Sequence, residues 1–163
     1  MLIYIRLCKG RSIYDRLIRW YSRSPYSHAE FAWPLTKRNP REWLGAQPRG
    51  GVQVRPANYL GAVPYDVFAL EVSQSQARRL ERFLLDQVGK PYDWRAIINM
   101  GVFQHDVSTW SKWFCSELVF GALAKVGAWI LRAPLLQRDR ITPRDVGTSV
   151  MLDYVASYPE GSR

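Results

Sequence analysis

The sequence is poor in cysteine. Only two of its 163 residues, Cys8 and Cys115, are cysteines. Two thiols can form at most one disulfide, which excludes the cysteine framework that stabilises many small secreted domains. We expect both thiols to be unpaired, as a reducing compartment permits.

The sequence also lacks a long apolar run. Charged residues or glycines interrupt each apolar stretch before it reaches the roughly 20 residues of a membrane-spanning helix. Residues 1–8 alternate like a strand and include no small-residue cleavage site. We therefore predict neither a signal peptide nor a transmembrane segment. A cytoplasmic location is compatible with this pattern, and nothing in the sequence names a compartment.

Acidic residues are scarce in the first part of the chain. Residues 1–64 contain eleven Lys or Arg and only three acids, whereas the remainder contains twelve Lys or Arg and eleven acids. The net charge of +9 is therefore concentrated in residues 1–64, which suggests an anionic partner such as an acidic polymer or a membrane surface. The alternative is that the arginines form the solvated face of a helix. No zinc-finger spacing, helix-turn-helix pattern or aromatic RNA-binding motif supports a nucleic-acid partner.

The length and composition are typical of one domain. With 163 residues, 47% of them hydrophobic, the chain can bury a substantial core but is short for two domains. We expect a single domain over residues 1–163, with a frayed tail from about residue 157.

Cys115 opens a predicted helix. Five apolar residues recur at helical spacing after it: Leu118, Val119, Ala122, Leu123 and Val126. The helix should start near Phe114, which places the thiol in the first turn. The positive end of the helix macrodipole favours a thiolate there and raises its nucleophilicity. The alternative interpretation is that Cys115 is a small buried apolar residue, as many free cysteines are.

A strand far upstream carries a histidine. Residues 27–33 alternate as a strand does and place His28, Glu30 and Ala32 on one face. A cysteine at a helix start and a histidine on a distant strand are the components of a nucleophile and base pair.

The remaining pattern predicts alternating strands and helices. Strands are predicted over residues 2–8, 42–47, 51–55, 66–72 and 150–155. One helix should follow Ser12 as its N-cap and reach Tyr21, and a second should follow Ser73 and end at Gly89. The pattern also predicts a loop over residues 34–40, a short helix over 95–102, a polar loop over 105–111 and a turn over 141–146.

Three segments resemble a known enzyme family. Residues 89–94, Gly-Lys-Pro-Tyr-Asp-Trp, and residues 114–119, Phe-Cys-Ser-Glu-Leu-Val, resemble the core of the NlpC/P60 superfamily of papain-like cysteine hydrolases. In the usual members the cysteine helix precedes the histidine strand, whereas here residues 27–31, Ser-His-Ala-Glu-Phe, come first. The chain is therefore similar to the circularly permuted YiiX/YebB-like branch, to which the lecithin:retinol acyltransferase-like proteins are related.

The resemblance covers roughly residues 1–150 and implies both a fold and catalytic roles. The implied fold is α+β and permuted papain-like, with an antiparallel sheet packed against helices that include the nucleophile helix. Cys115 would be the nucleophile and His28 the general base. Tyr92 matches the Pro-Tyr position of the family, where a tyrosine can help the Cys115 N–H bind an oxyanion. A core tyrosine with a satisfied hydroxyl is the alternative role for Tyr92.

The third catalytic residue is less defined. In the permuted family it lies on the strand after the histidine strand, where Gly45 stands in place of a frequent glutamate. Gln47 is the nearest polar side chain, and we rank it slightly ahead of Glu30. Glu30 shares a face with His28, but side chains at i and i+2 of a strand stand parallel about 7 Å apart. In the alternative interpretation, both are ordinary polar surface positions.

Three functions remain open. The first is a cysteine hydrolase that cleaves an amide bond, in a cell-wall peptide or a related isopeptide. The second uses the same residues on a lipid acyl ester, as hydrolase or acyltransferase. The third is a non-catalytic binding or structural module, which the glycine at position 45 favours and the retained cysteine and histidine oppose.

We predict no cofactor and no metal. A metal site built from Cys8, His28, His105 and Cys115 would need closely spaced ligands, and no two of these residues have the short spacing of a metal finger. His105 is expected in a solvent-exposed loop.

Overall fold

Six strands form one antiparallel sheet. The computed structural model describes residues 1–94, 111–131 and 141–159. In chain order the strands are β1 (Leu2–Cys8), β2 (His28–Trp33), β3 (Glu42–Gln47), β4 (Gly51–Pro56), β5 (Tyr65–Glu71) and β6 (Asp153–Tyr158). They lie in the order β4-β3-β2-β1-β5-β6, and each neighbouring pair is antiparallel. The predicted α+β class is confirmed.

Each helix of the described ranges begins directly after its N-cap residue. They are α1 (Ile13–Ser22), α2 (Gln74–Gln87), α3 (Cys115–Lys125) and α4 (Pro143–Gly147). Ser12 and Ser73 are the N-caps that the sequence predicted, and each forms a capping box, which the sequence predicted only for Ser73. None of these helices has the length and apolar character that crossing a bilayer requires.

The two faces of the sheet differ in chemistry. On one face Ile3, Ile5 and Leu7 of β1 are fully buried and belong to a large apolar core with α2 and α3. On the other face Arg6 of β1 lies opposite Glu30 of β2, and both side chains are buried. Strand alternation therefore places a buried charged pair directly behind an apolar core.

The Gly-Lys-Pro-Tyr-Asp segment connects β4 to the start of α3. The Val52 N–H donates to Lys90 O at 2.9 Å, and the Trp113 N–H donates to Pro91 O at 3.2 Å. The close approach requires glycine at position 51, since a Cβ there would lie 2.0 Å from Lys90 O and φ is +70°. This segment therefore fixes where the cysteine helix begins relative to the sheet.

The C-terminal part of the chain differs from the sequence prediction. The turn predicted over residues 141–146 is instead the short helix α4, because Thr142 caps it and Pro143 fits its first position. The strand predicted over 150–155 lies at Asp153–Tyr158. Ser157 and Tyr158, expected in a frayed tail, pair with Asp66 and Tyr65 of β5. The predicted helix 95–102, most of the loop 105–111 with His105, and residues 160–163 lie outside the described residues.

Candidate active site

Cys115 is the first residue of α3. Phe114 occupies the N-cap position with extended backbone, and its N–H donates to the Glu117 carboxylate at 3.2 Å. This bond satisfies one of the backbone donors near the helix start and leaves the thiol beside the positive end of the helix. Cys115 is fully buried.

The structure brings Cys115 and His28 together. The Cys115 thiol acts on the imidazole, since its charge and hydrogen bonding are among the causes that raise the pKa of His28. The Cys115 Sγ also lies 3.9 Å from the backbone carbonyl oxygen of Ser27, 88 positions away in the sequence. The contact forms at the end of the sheet where β2 begins and β1 and β3 end, because neighbouring antiparallel strands alternate in direction.

His28 Nε2 faces two polar side chains. It lies 3.2 Å from Glu30 Oε1 and 2.8 Å from Gln47 Nε2. With Nε2 engaged in this way, Nδ1 is the ring nitrogen available to the Cys115 thiol. Parallel side chains two positions apart on a strand are expected to stand about 7 Å apart. The ends of the His28 and Glu30 side chains instead converge to within hydrogen-bonding distance.

The charge on Glu30 keeps the imidazole protonated. Burial alone would lower the pKa of His28, but its interactions with Glu30 and Cys115 outweigh burial and raise that pKa to about 10. Burial would likewise raise the pKa of Glu30, whereas the charges of His28 and Arg6 lower it to about 2. Near neutral pH the site therefore holds an imidazolium between a carboxylate and the sulfur.

Glu30 and Gln47 contact His28 in different ways. The Gln47 amide nitrogen donates to Glu30 Oε1 and to the Tyr59 hydroxyl oxygen. An imidazolium carries a proton on Nε2 and cannot accept from this amide. The carboxylate of Glu30 is therefore the acceptor available to the charged ring, while Gln47 orients the carboxylate.

Arg6 completes the charge balance of the site and was not identified from the sequence. Its side chain is 1% exposed, and its Nε and Nη2 lie 2.7 and 2.5 Å from Glu30 Oε2. The guanidinium also lies over the rings of Trp43, Tyr65 and Tyr59, with its Cζ 4.5 to 5.5 Å from their centroids. A lone arginine in an otherwise apolar strand was the available signal, because such a charge needs a buried partner.

Tyr59 is a second residue that the sequence did not identify. Its hydroxyl donates to Glu30 Oε1 at 2.7 Å. Burial, followed by the charge of Glu30, raises the pKa of Tyr59, so the hydroxyl keeps the proton that it donates. Its position in the loop after β4 has no sequence pattern that would have indicated this contact.

Tyr92 lies beside the start of α3. It is 6% exposed, forms a parallel bridge with Trp113, and its ring centroid lies 5.9 Å from that of Phe114. Burial, followed by the negative charge of Cys115, raises the pKa of Tyr92, so the phenol is neutral near the sulfur.

A cavity of about 230 Å³ adjoins the site. His28, Ser27, Gln47 and Tyr92 line one part of it, and α1 with its N-cap contributes Ser12, Tyr14, Asp15 and Ile18. Cys8 also lines it, whereas Cys115 does not, although its neighbours Ser27 and His28 do. A molecule in this cavity would therefore contact His28 directly, whereas Cys115 is not part of the lining.

The described residues do not provide a metal site. Within residues 1–94, 111–131 and 141–159, no group of three or more His, Cys, Asp or Glu side chains could hold a metal ion. In addition, the carboxylate of Glu30 is already occupied by Arg6, His28 and Tyr59. These side chains do not fit a metal centre.

The fold is similar to that of a known bacterial protein. No protein-family model matches the chain, and no curated protein sequence matches it. A crystal structure described as metalloprotein yiiX from Escherichia coli O157:H7 superposes with a TM-score of 0.71, at 20% sequence identity, over 96% of each chain. At this identity the likeness shows a shared α+β fold and assigns no residue role.

Proposed function

We propose that this protein is a cysteine hydrolase of the permuted papain-like type, which cleaves an amide bond through a Cys115–His28 pair. The proposal rests on the position of the Cys115 thiol at a helix N-terminus, 3.9 Å from the carbonyl oxygen of Ser27 and thus beside His28, whose imidazole is held by a carboxylate. The yiiX-like fold is compatible with the YiiX/YebB-like resemblance of the three sequence segments.

The reaction would proceed in two stages. The Cys115 thiolate attacks the carbonyl carbon, and the negative charge moves to the carbonyl oxygen. The Cys115 backbone N–H and the Tyr92 hydroxyl are the donors that would stabilise this oxyanion. The His28 imidazolium then donates its proton to the leaving amine as the C–N bond breaks, which leaves an acyl thioester on the sulfur.

In the hydrolysis of the thioester, His28 changes from proton donor to proton acceptor. The neutral imidazole accepts a proton from water, the hydroxide attacks the thioester carbonyl, and the C–S bond breaks to regenerate the thiolate. Glu30 is the positioning residue in this scheme, because its carboxylate accepts from the imidazolium and thereby fixes the ring orientation. Arg6 and Tyr59 hold Glu30 in turn.

A lipid acyl ester is the second candidate substrate. The observation that favours it is the position of α1, which lines the cavity beside His28 and exposes aromatic and aliphatic side chains to solvent. A peptide from the cell wall stays our first candidate for the amide reaction. Incubation with peptidoglycan fragments and with phospholipid vesicles, followed by mass spectrometry of the products, distinguishes amide from ester cleavage.

Selective labelling of the two cysteines tests the nucleophile. Iodoacetamide at pH 7 should alkylate Cys115 much faster than Cys8, because burial raises the pKa of Cys8 and no imidazole is bonded to its thiol in the described residues. His28→Ala should slow the labelling of Cys115 and leave that of Cys8 unchanged. Peptide mass spectrometry measures both rates in one sample.

Cys8 serves as an internal control because it is also buried. Equal and slow labelling of the two thiols in the folded protein would refute the hydrolase proposal and favour a non-catalytic module. A comparison of iodoacetamide with a bulky maleimide then measures access, and we expect the larger reagent to be slower because Cys115 lies outside the cavity lining.

A further inference from the structure

Helix α1 turns most of its apolar side chains towards solvent. Only Ile18 and Ser22 are buried in this helix. Five apolar or aromatic residues that recur at helical spacing are exposed by 46 to 77%: Ile13, Tyr14, Leu17, Trp20 and Tyr21. Such a pattern normally marks the face of a helix that packs on a core, so a contiguous exposed patch of this kind indicates an interaction surface. We name these five residues the α1 face.

Arginines flank the α1 face. Arg11, Arg16 and Arg23 are exposed. Asp15 is the one acid between residues 11 and 23, and its carboxylate accepts from the backbone N–H and hydroxyl of Ser12. The helix therefore combines an apolar stripe with an excess of positive charge.

We propose that the α1 face docks onto an anionic lipid bilayer, with α1 lying in the plane of the interface. A helix with aromatic and aliphatic residues on one side and arginines beside them has the composition of interfacial amphipathic helices. Negatively charged lipid headgroups would pair with the arginines while the acyl region receives Trp20 and its neighbours.

An anionic bilayer fits the charge and apolar pattern of α1 better than the two alternative partners do. A second copy of the chain would bring two arginine-rich helices together, and like charges oppose that contact. A soluble anionic polymer would neutralise the arginines but leave the apolar stripe in water. An anionic bilayer satisfies both features at once.

The docking would bring the cavity to the membrane. Tyr14 belongs to the α1 face and also lines the cavity next to His28, together with Ser12, Asp15 and Ile18. A chain held by α1 would thus present the cavity at the lipid surface. This inference goes beyond the proposed function, because membrane binding does not require turnover by Cys115.

Vesicle co-sedimentation of the full chain tests the proposal. We use the Cys115→Ala variant so that binding is measured without any reaction. It should bind vesicles of phosphatidylglycerol and phosphatidylcholine, bind pure phosphatidylcholine at least about tenfold more weakly, and lose affinity as salt rises.

Arg11→Glu with Arg16→Glu should weaken binding to the anionic vesicles by about 25-fold or more, at roughly fivefold per arginine lost. Ile13→Gln with Trp20→Gln should weaken it at least about tenfold.

Matched variants on α2 and at position 150 control for charge and hydrophobicity. Arg78→Glu with Arg82→Glu changes the net charge equally on exposed positions of α2, and Leu85→Gln with Val150→Gln removes two other exposed apolar side chains. Both double variants should bind as the parent does. Circular dichroism melting checks that each variant is folded.

Three outcomes would overturn the proposal. They are the absence of binding to anionic vesicles, equal weakening by the α1 and control variants, and self-association in sedimentation velocity that the α1 variants abolish while vesicle binding persists. Since the assay uses an inactive chain, its failure would leave the hydrolase proposal untouched. Conversely, an inert Cys115 in the labelling experiment would leave membrane binding untouched.

Discussion

The side chain of Glu30 fills the space above Gly45. A Cβ atom at position 45 would lie 2.7 Å from Glu30 Cγ and 3.0 Å from Glu30 Oε1. Glycine on β3 therefore allows a carboxylate from the neighbouring strand β2 to reach His28. In the family that the sequence resembles, a glutamate often stands at the position of Gly45. Here the carboxylate beside the imidazole comes from Glu30 instead.

Gly45→Ala should displace Glu30. The new methyl group cannot fit without a shift of that side chain, and overpacking of this kind costs about 1 to 3 kcal/mol. We expect a lower free energy of unfolding in urea and slower alkylation of Cys115, because the imidazole loses its acceptor.

A double-mutant cycle isolates the contact. If the methyl group acts by displacing Glu30, Gly45→Ala should cost much less in a Glu30→Ala background than in the wild type. Equal costs in the two backgrounds would show that the glycine matters for another reason, such as strand geometry.

Glu30→Gln should destabilise the fold and impair the site. It leaves the Arg6 guanidinium buried without its counter-charge, which costs about 3 to 5 kcal/mol when one partner of a buried pair is removed. The rate of Cys115 alkylation should fall more than in Gln47→Ala, since Glu30 is the acceptor for the imidazolium. Chemical unfolding and labelling rates measure the two effects separately.

Glu42→Gln is the matched control for this change. Glu42 is exposed at the start of β3, so its substitution should alter the free energy of unfolding by about 0.5 kcal/mol or less. Should Gln47→Ala slow the labelling more than Glu30→Gln does, Gln47 would be the positioning residue.

Protonation of Glu30 should lower the stability of the fold in acid. Its pKa of about 2 in the fold lies below the ordinary value of 4.5, so the ionised form is favoured by folding. The contribution is present above pH 4.5 and is lost as pH falls towards 2. The difference in unfolding free energy between wild type and Glu30→Gln should therefore shrink over this range. A constant difference would mean that the charge of Glu30 does not stabilise the fold.

Deprotonation of His28 should lower the stability of the fold at alkaline pH. Its pKa is raised from 6.5 to about 10, so the protonated ring contributes stability that is complete below pH 6.5 and disappears as pH rises through about 10. His28→Gln cannot gain or lose a proton, and the stability gap between it and wild type should narrow as pH increases. NMR titration of the ring protons measures the pKa directly, and a value near 6.5 would contradict the proposed ion pair.

Tyr92→Phe should separate oxyanion binding from nucleophile activation. The substitution keeps the ring that packs on Phe114 and removes only the hydroxyl. Alkylation of Cys115 by iodoacetamide should stay unchanged, because that reaction develops no oxyanion. Acylation by p-nitrophenyl acetate should slow by about 100-fold if the hydroxyl is one of the donors. An unchanged acylation rate would reduce Tyr92 to a packing residue.

Much of the local structure followed from the sequence because its causes are local. Capping by Ser12 and Ser73 depends on residues within one turn, and the start of α3 at Cys115 depends on the spacing of the apolar residues that follow. The end of the chain was less predictable. The position of β6 depends on pairing with β5, which includes an irregularity between Val67 and Phe68.

Residue types and their local spacing were sufficient to predict the chemical components: a cysteine at a helix start, a histidine on a strand, and an excess of positive charge before residue 65. Which of these residues come into contact depends on the pairing of strands in the folded chain. Arg6 and Glu30 face each other because β1 and β2 are neighbours in one register, and Gly45 makes room for that carboxylate from a third strand. The exposure of the α1 face was decided in the same way, because spacing identifies an apolar stripe but the packing of the whole chain determines whether anything covers it.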